Sequence, residues 1–155
     1  MIKNRKAIIV GIKSTVLSKK EKLFLNKYKP WGVILFSRNL KKFKQIQKLI
    51  TDIKSIFKDN KYPILIDQEG GKINRLNKLI DTSILTAEFY GNLYKSDKKK
   101  FSNYYRVYIN QISHLLNELG ININTVPVLD VRRSKSSNII GDRSYSYIPE
   151  NVSKI

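Results

Sequence analysis

Ile64-Leu65-Ile66-Asp67-Gln68-Glu69-Gly70-Gly71-Lys72-Ile73-Asn74-Arg75 is the stretch that decides the fold. An apolar run ends in a carboxylate, followed by an acid, a glycine pair and, eight residues after Asp67, an arginine. A short continuous apolar run suits a strand buried on both faces, the habit of parallel sheets. Such a strand delivers its last side chain to the rim of the sheet, where ligands sit in parallel α/β folds. The glycine pair permits a sharp turn and leaves room for a ligand. Asp67 accepts hydrogen bonds from hydroxyls, and Arg75 donates to oxygens in fixed geometry. The combination suits a polyhydroxylated ligand such as a sugar. Plainer readings stand beside it. Asp67 can cap the following turn, and Arg75 can serve as an ion-pair partner of Glu69 or Asp67.

Working outward from this run, strands alternate with helices. Residues 7–12 are apolar throughout and read as a first strand buried on both faces. Ser18 and Glu21 form a capping box opening a helix to about Tyr28, with Leu23, Phe24 and Leu25 as its apolar stripe and Pro30 as its stop. Residues 32–36 read as strand two, and Trp31 is placed at its start. Residues 40–57 place Phe43, Ile46, Leu49, Ile50, Ile53 and Ile56 at helical spacing. Strand three covers residues 63–67. Residues 70–100 are mixed, with a short helix over 82–94. A clear helix over 101–119 ends at Gly120, and residues 121–129 are strand four. Pro149 and Glu150 mark a further helix start. This alternation implies an α/β fold of four parallel βα units. A complete eight-unit barrel needs about 250 residues. At 155 residues the chain is expected to hold about half of one, its end falling within a helix.

Further segments join the first in chain order: Trp31-Gly32-Val33-Ile34-Leu35-Phe36-Ser37-Arg38-Asn39, Val126-Pro127-Val128-Leu129-Asp130, and Ile140-Gly141-Asp142-Arg143-Ser144-Tyr145-Ser146. Together with Asp67–Arg75 they resemble the N-terminal domain of glycoside hydrolase family 3, most closely the bacterial β-N-acetylglucosaminidases. The resemblance spans nearly the whole chain. It implies a (β/α)8 TIM barrel, here the N-terminal half-barrel over residues 1–155. It also implies removal of terminal N-acetylglucosamine from saccharides or muropeptides, as in peptidoglycan recycling, by a retaining mechanism. Asp67, Arg75 and Arg143 are the implied substrate contacts. Read without the resemblance, Arg143 is a solvated loop arginine. Glu69 is read as holding an arginine or the loop, Asp142 as shaping its loop, and Asp130 as a structural residue bonding backbone donors. The family's histidine acid/base, on a KHFPGHG-like segment, and its nucleophile have no counterpart here. No catalytic residue is therefore assigned, and no cofactor or metal is implied. The implied partners are the saccharide and the missing C-terminal half.

Composition bounds the alternatives. The chain holds 30 Lys and Arg against 12 Asp and Glu, a net charge of +18. A charge of that size admits a basic nucleic-acid binder. The cations are scattered, however, the longest pure run is Lys98-Lys99-Lys100, and no RNA-binding aromatic motif accompanies them. No dedicated nucleic-acid role is assigned on that basis. A catalytically dead, sugar-binding half-barrel is the other alternative. The sole histidine, His114, lies on a helix away from the strand ends and is assigned a surface or core-edge role. The lack of cysteine fits a cytoplasmic protein and leaves no thiol chemistry. No segment reaches membrane-spanning length.

Overall fold

The computed structural model describes residues 4–133 and 139–155. They form two compact units. The first comprises the chain up to Asp67, Arg75–Ile80 and Leu115–Thr125; the second comprises Gln68–Asn74, Asp81–His114 and Val126–Ile155.

The first unit is built on a four-stranded sheet in the order β1-β2-β3-β4, parallel throughout. The strands are β1 Lys6–Gly11, β2 Pro30–Leu35, β3 Ile64–Ile66 and β4 Ile123–Asn124. Sequential parallel order is what βα alternation requires, because each strand must be followed by a crossover before the next can run the same way. The crossovers contain α1 (Lys19–Tyr28) and α2 (Phe43–Phe57). The expected capping box opens α1: Glu21 N donates to Ser18 Oγ and Ser18 N to a Glu21 carboxylate oxygen. In α2, Ile46, Leu49, Ile50 and Ile53 are buried, and Phe43 and Ile56, the two ends of the expected stripe, are half-buried. A long helix, α4 (Lys98–Leu119), ends in this unit at Gly120, whose φ is +88°. Gly120 N donates to Asn117 O and Ile121 N to Leu116 O, the paired bonds of a Schellman cap.

Several expectations are corrected. β1 is not buried on both faces: five of its six residues are exposed, because it is an edge strand with β2 as its one partner. Strand four is two residues long instead of nine, since pairing to β3 ends where β3 ends. In α1 only Leu25 is buried, whereas Leu23 and Phe24 are 70 % and 43 % exposed. Three consecutive helical residues span about 200° of the helix circumference and cannot share one face. Trp31 is the second residue of β2 and is half-buried.

The second unit contains α3 (Ala87–Ser96, capped by Thr86), most of α4, and α5 (Pro149–Lys154) with proline in its first turn. Its interior is aromatic. Tyr90 packs on Tyr105 and Tyr108, Phe101 stacks on Tyr105, and the Tyr105 and Tyr145 hydroxyls lie 2.6 Å apart. Gly91 meets the backbone here: a Cβ on it would stand 1.7 Å from the Tyr145 carbonyl oxygen.

Two predictions follow from this packing. Gly91→Ala should destabilise the second unit by about 3 kcal/mol or more, since the obstacle is backbone that cannot swing away; urea unfolding checks this. Burial pushes the Tyr108 phenol up to about 12, and burial likewise raises Tyr90, Tyr105 and Tyr145. An unfolded tyrosine ionises near pH 10, so stability from these neutral phenols is full below about pH 10 and lost as pH rises towards 12. Unfolding midpoints measured from pH 8 to 12 should fall across that window, and less steeply in Tyr108→Phe.

Candidate functional site

β3 positions the first candidate. Ile64, Leu65 and Ile66 are all buried and pair with β2 on one side and β4 on the other. Asp67 follows directly and is half-buried. Its carboxylate takes bonds from two directions. Thr125 Oγ1 donates to Oδ1 at 2.5 Å, and Arg75 donates through a terminal nitrogen to Oδ2 at 3.3 Å. The Arg75 guanidinium lies 5.3 Å from the Phe36 ring centroid. Arg75 Nε is buried and, among the described residues, has no hydrogen-bond partner.

These groups share one origin. Phe36 follows β2, Asp67 follows β3, and Thr125 follows β4, so each leaves the C-terminal end of a parallel strand. Phe36 and Thr125 were not singled out from the sequence. The available signal was positional: Thr125 is the residue after β4 as Asp67 is the residue after β3. Asn39, inside one of the collinear segments, is fully buried and structural. Its Oδ1 accepts from Phe36 N at 2.9 Å, and its Nδ2 donates to Ser14 O at 2.8 Å. It ties the exit of β1 to the exit of β2.

In the second unit the glycine pair makes the turn. Gly70 has φ +90° and Gly71 φ +56°, and a Cβ on Gly70 would stand 2.3 Å from the Leu85 carbonyl oxygen. Left-handed backbone and close approach both demand glycine here. Gln68, Asn74 and Thr82 are buried, with Gln68 Nε2 donating to Asn74 Oδ1 and Thr82 Oγ1, each at 3.1 Å.

Arg143 lies in a 3-10 turn, Gly141–Arg143, and meets Glu69 in a fork: Nε to Oε2 at 2.8 Å and a terminal nitrogen to Oε1 at 2.9 Å. Glu69 therefore holds an arginine, and that arginine is Arg143. Lys72 approaches Asp142 Oδ1 at 3.9 Å, beyond hydrogen-bond reach. Asp130 is exposed, and its carbonyl oxygen fastens the loop by accepting from Ser144 Oγ at 2.6 Å. His114 is exposed on α4. The structure thus joins Asp67 to Arg75 in one unit and Arg143 to Glu69 in the other.

Residues 6–155 match the family described as "Glycosyl hydrolase family 3 N terminal domain". The chain belongs to glycosyl hydrolase family 3. Among its relatives, Beta-hexosaminidase A of Pseudoalteromonas piscicida is 33 % identical over 135 residues, covering 84 % of this chain and 22 % of that protein. Beta-hexosaminidase of Xanthomonas campestris pv. campestris (strain B100) is 27 % identical over 145 residues, covering 94 % of this chain and 43 % of that protein. The chain thus spans less than half the length of these relatives. A family 3 β-N-acetylglucosaminidase of Paenibacillus sp. superposes with a TM-score of 0.72 at 26 % identity, over 94 % of this chain and 27 % of that one. NagZ of Neisseria gonorrhoeae superposes with a TM-score of 0.80 at 24 % identity, over 97 % of this chain and 43 % of that one, and shows the shared fold. The parallel βα architecture is that of the family's TIM-barrel domain.

The forked Glu69–Arg143 pair is largely buried, with side-chain exposures of 12 % and 22 %. Removing one partner should cost about 1–3 kcal/mol, because it strands the other charge in poorly solvated surroundings. A double-mutant cycle of Glu69→Ala and Arg143→Met, read by urea unfolding, should give a clear coupling energy. Additive effects would mean that solvent already screens the pair.

Proposed function

We propose that the chain supplies the sugar-gripping half of a β-N-acetylhexosaminidase-type glycosidase. The observation that supports this most strongly is the Asp67–Arg75 pair at the end of a buried parallel strand, with both side chains 25 % exposed. An ionised carboxylate has about four acceptor positions, so Asp67 can keep Thr125 and Arg75 and still accept from sugar hydroxyls. An unspent guanidinium donor suits a hydroxyl or ring oxygen. Arg143, held by Glu69, is the further proposed sugar contact. The proposed substrate carries a terminal N-acetylglucosamine, as peptidoglycan fragments do during recycling in the cytoplasm. The names of the relatives support that choice, and NagZ of Neisseria gonorrhoeae was crystallised with N-trifluoroacetyl-D-glucosamine.

The reaction proposed for the complete enzyme is retaining. A carboxylate attacks the anomeric carbon as the glycosidic bond breaks, an acid protonates the leaving oxygen, and water then cleaves the glycosyl-enzyme. The family resemblance puts the nucleophile and the histidine acid/base on segments that this sequence does not contain. The one histidine present, His114, is exposed on a helix, which favours a second reading in which this chain binds sugar without turning it over.

Titration of the purified chain with N-acetylglucosamine, followed by backbone amide chemical shifts, should perturb the residues around Asp67 and Arg75. Asp67→Ala should weaken that binding about 10-fold or more, the worth of about 1.5–3 kcal/mol for hydrogen bonds to a charged group. Unchanged affinity would reduce Asp67 to a partner of Arg75 and Thr125. The purified chain should not hydrolyse a chromogenic N-acetyl-β-glucosaminide. Robust turnover would show that the catalytic groups lie within these residues after all.

A further inference from the structure

Arg75 is tied to its carboxylate by a long bond. The distance from its terminal nitrogen to Asp67 Oδ2 is 3.3 Å, and its side chain is 25 % exposed. N–H···O bonds in proteins centre near about 2.9–3.0 Å. One long bond leaves the guanidinium plane free to swivel about it. The further contact is with the Phe36 ring, whose centroid lies 5.3 Å from the guanidinium carbon. A cation within about 6 Å of a ring centroid is attracted to the π face, and a guanidinium also stacks on it. The orientation of Arg75 therefore depends on where the Phe36 ring stands.

That ring is placed from the exit of β1. Phe36 N donates to Asn39 Oδ1 at 2.9 Å, and Asn39 Nδ2 donates to Ile12 O at 3.2 Å and Ser14 O at 2.8 Å. These bonds fix the backbone of Phe36 but not its ring. A second guanidinium reaches the ring: Arg38 Cζ lies 4.6 Å from the centroid. Arg38 is exposed, so burial does not force it there. Its Nε donates to Ile12 O at 3.0 Å, which aims the guanidinium, and the π face attracts it. Gly11 borders both groups. A Cβ on it would stand 3.2 Å from an Arg38 terminal nitrogen and 3.2 Å from the Phe36 ring. Arg38, Phe36 and Arg75 thus form a row of contacts from the exit of β1 to the candidate site, all within the first unit.

We infer that Arg38 is a positioning residue: through the Phe36 ring it holds the Arg75 guanidinium in the orientation that meets sugar. This rests on the reading of Arg75 as a sugar contact. Arg38 has two separable parts. Its Nε fastens the turn after β2 to the exit of β1, and its charged plane lies against the ring. Glutamine carries an amide nitrogen as many bonds from Cβ as Nε is. It keeps the donor to Ile12 O and loses the cation. Lysine keeps the cation and loses the donor at that place. Positioning through the ring requires that lysine serve and glutamine fail. Simple fastening of β1 requires the reverse.

The test uses the full chain and its Arg38→Gln and Arg38→Lys variants. Two readouts are taken: affinity for N-acetylglucosamine, and the nitrogen–proton magnetic resonance signal of Arg75 Nε without sugar. Arg38→Gln should move the Arg75 signal towards that of a solvated arginine. It should also weaken N-acetylglucosamine binding about 3-fold, the worth of one exposed cation–ring contact. Arg38→Lys should leave both close to their unaltered values. If the unaltered chain does not bind N-acetylglucosamine, the sugar reading fails, and the Arg75 signal alone decides whether Arg38 positions Arg75. An Arg75 signal unmoved by Arg38→Gln would overturn the inference. So would a moved signal with undiminished binding, or a lysine variant that fails where glutamine succeeds. Should Arg38→Gln not fold, relaxation in the unaltered chain decides instead. Arg38 Nε and Arg75 Nε should be as rigid as the backbone amides of β2, and a freely turning side chain at either position would sink the inference.

Discussion

Three buried residues, Ile64–Ile66, carry more of this protein's organisation than their number suggests. They form the one segment that bonds to β2 on one side and β4 on the other. With both flanks paired and all three side chains buried, β3 has little freedom to slide, since a slip would break both ladders and misplace three closely packed side chains. Fixing β3 fixes the point where the sheet ends, and Asp67 stands at that point. The glycine pair a few residues on then turns the chain through left-handed backbone that only glycine adopts at little cost.

Electrostatics at the candidate site are shaped by scarcity. With 12 carboxylates against 30 cations, acids are too few to pair one to one with the basic side chains. The carboxylates near the motif each hold an arginine: Asp67 holds Arg75 beside Thr125, and Glu69 holds Arg143 in a fork. Such pairs hold an arginine in one orientation, which lowers the entropy cost of presenting it to a ligand. The lysines of α1 are exposed, and their effect is collective repulsion.

Much of the candidate site was legible because motif and position coincide. Asp67 follows an apolar run, and an acid two residues on, Glu69, reads as the holder of an arginine or of the loop. The identity of that partner was not legible, because Arg143 is remote in sequence and contact across 74 positions leaves no periodic trace. Thr125 and Phe36 were missed for a related reason. Neither residue type announces a role; each matters through its place one residue past a strand end. Asp130, expected to be structural, has a carbonyl that fastens its loop by accepting from the Ser144 hydroxyl, a contact no local pattern announces.

Local pattern by itself determined the alternation of strands and helices, the capping box at Ser18 and Glu21, the buried face of α2, and the glycine stops. These depend on periodicity and backbone preference, which neighbouring residues settle among themselves. Membership of glycosyl hydrolase family 3 was likewise written in collinear motifs. Only the tertiary structure decided how long β4 is, that β1 stands exposed at an edge, and which acid meets which arginine. Strand length and burial depend on what lies alongside, and an apolar run such as residues 7–12 reads the same whether one neighbour flanks it or two.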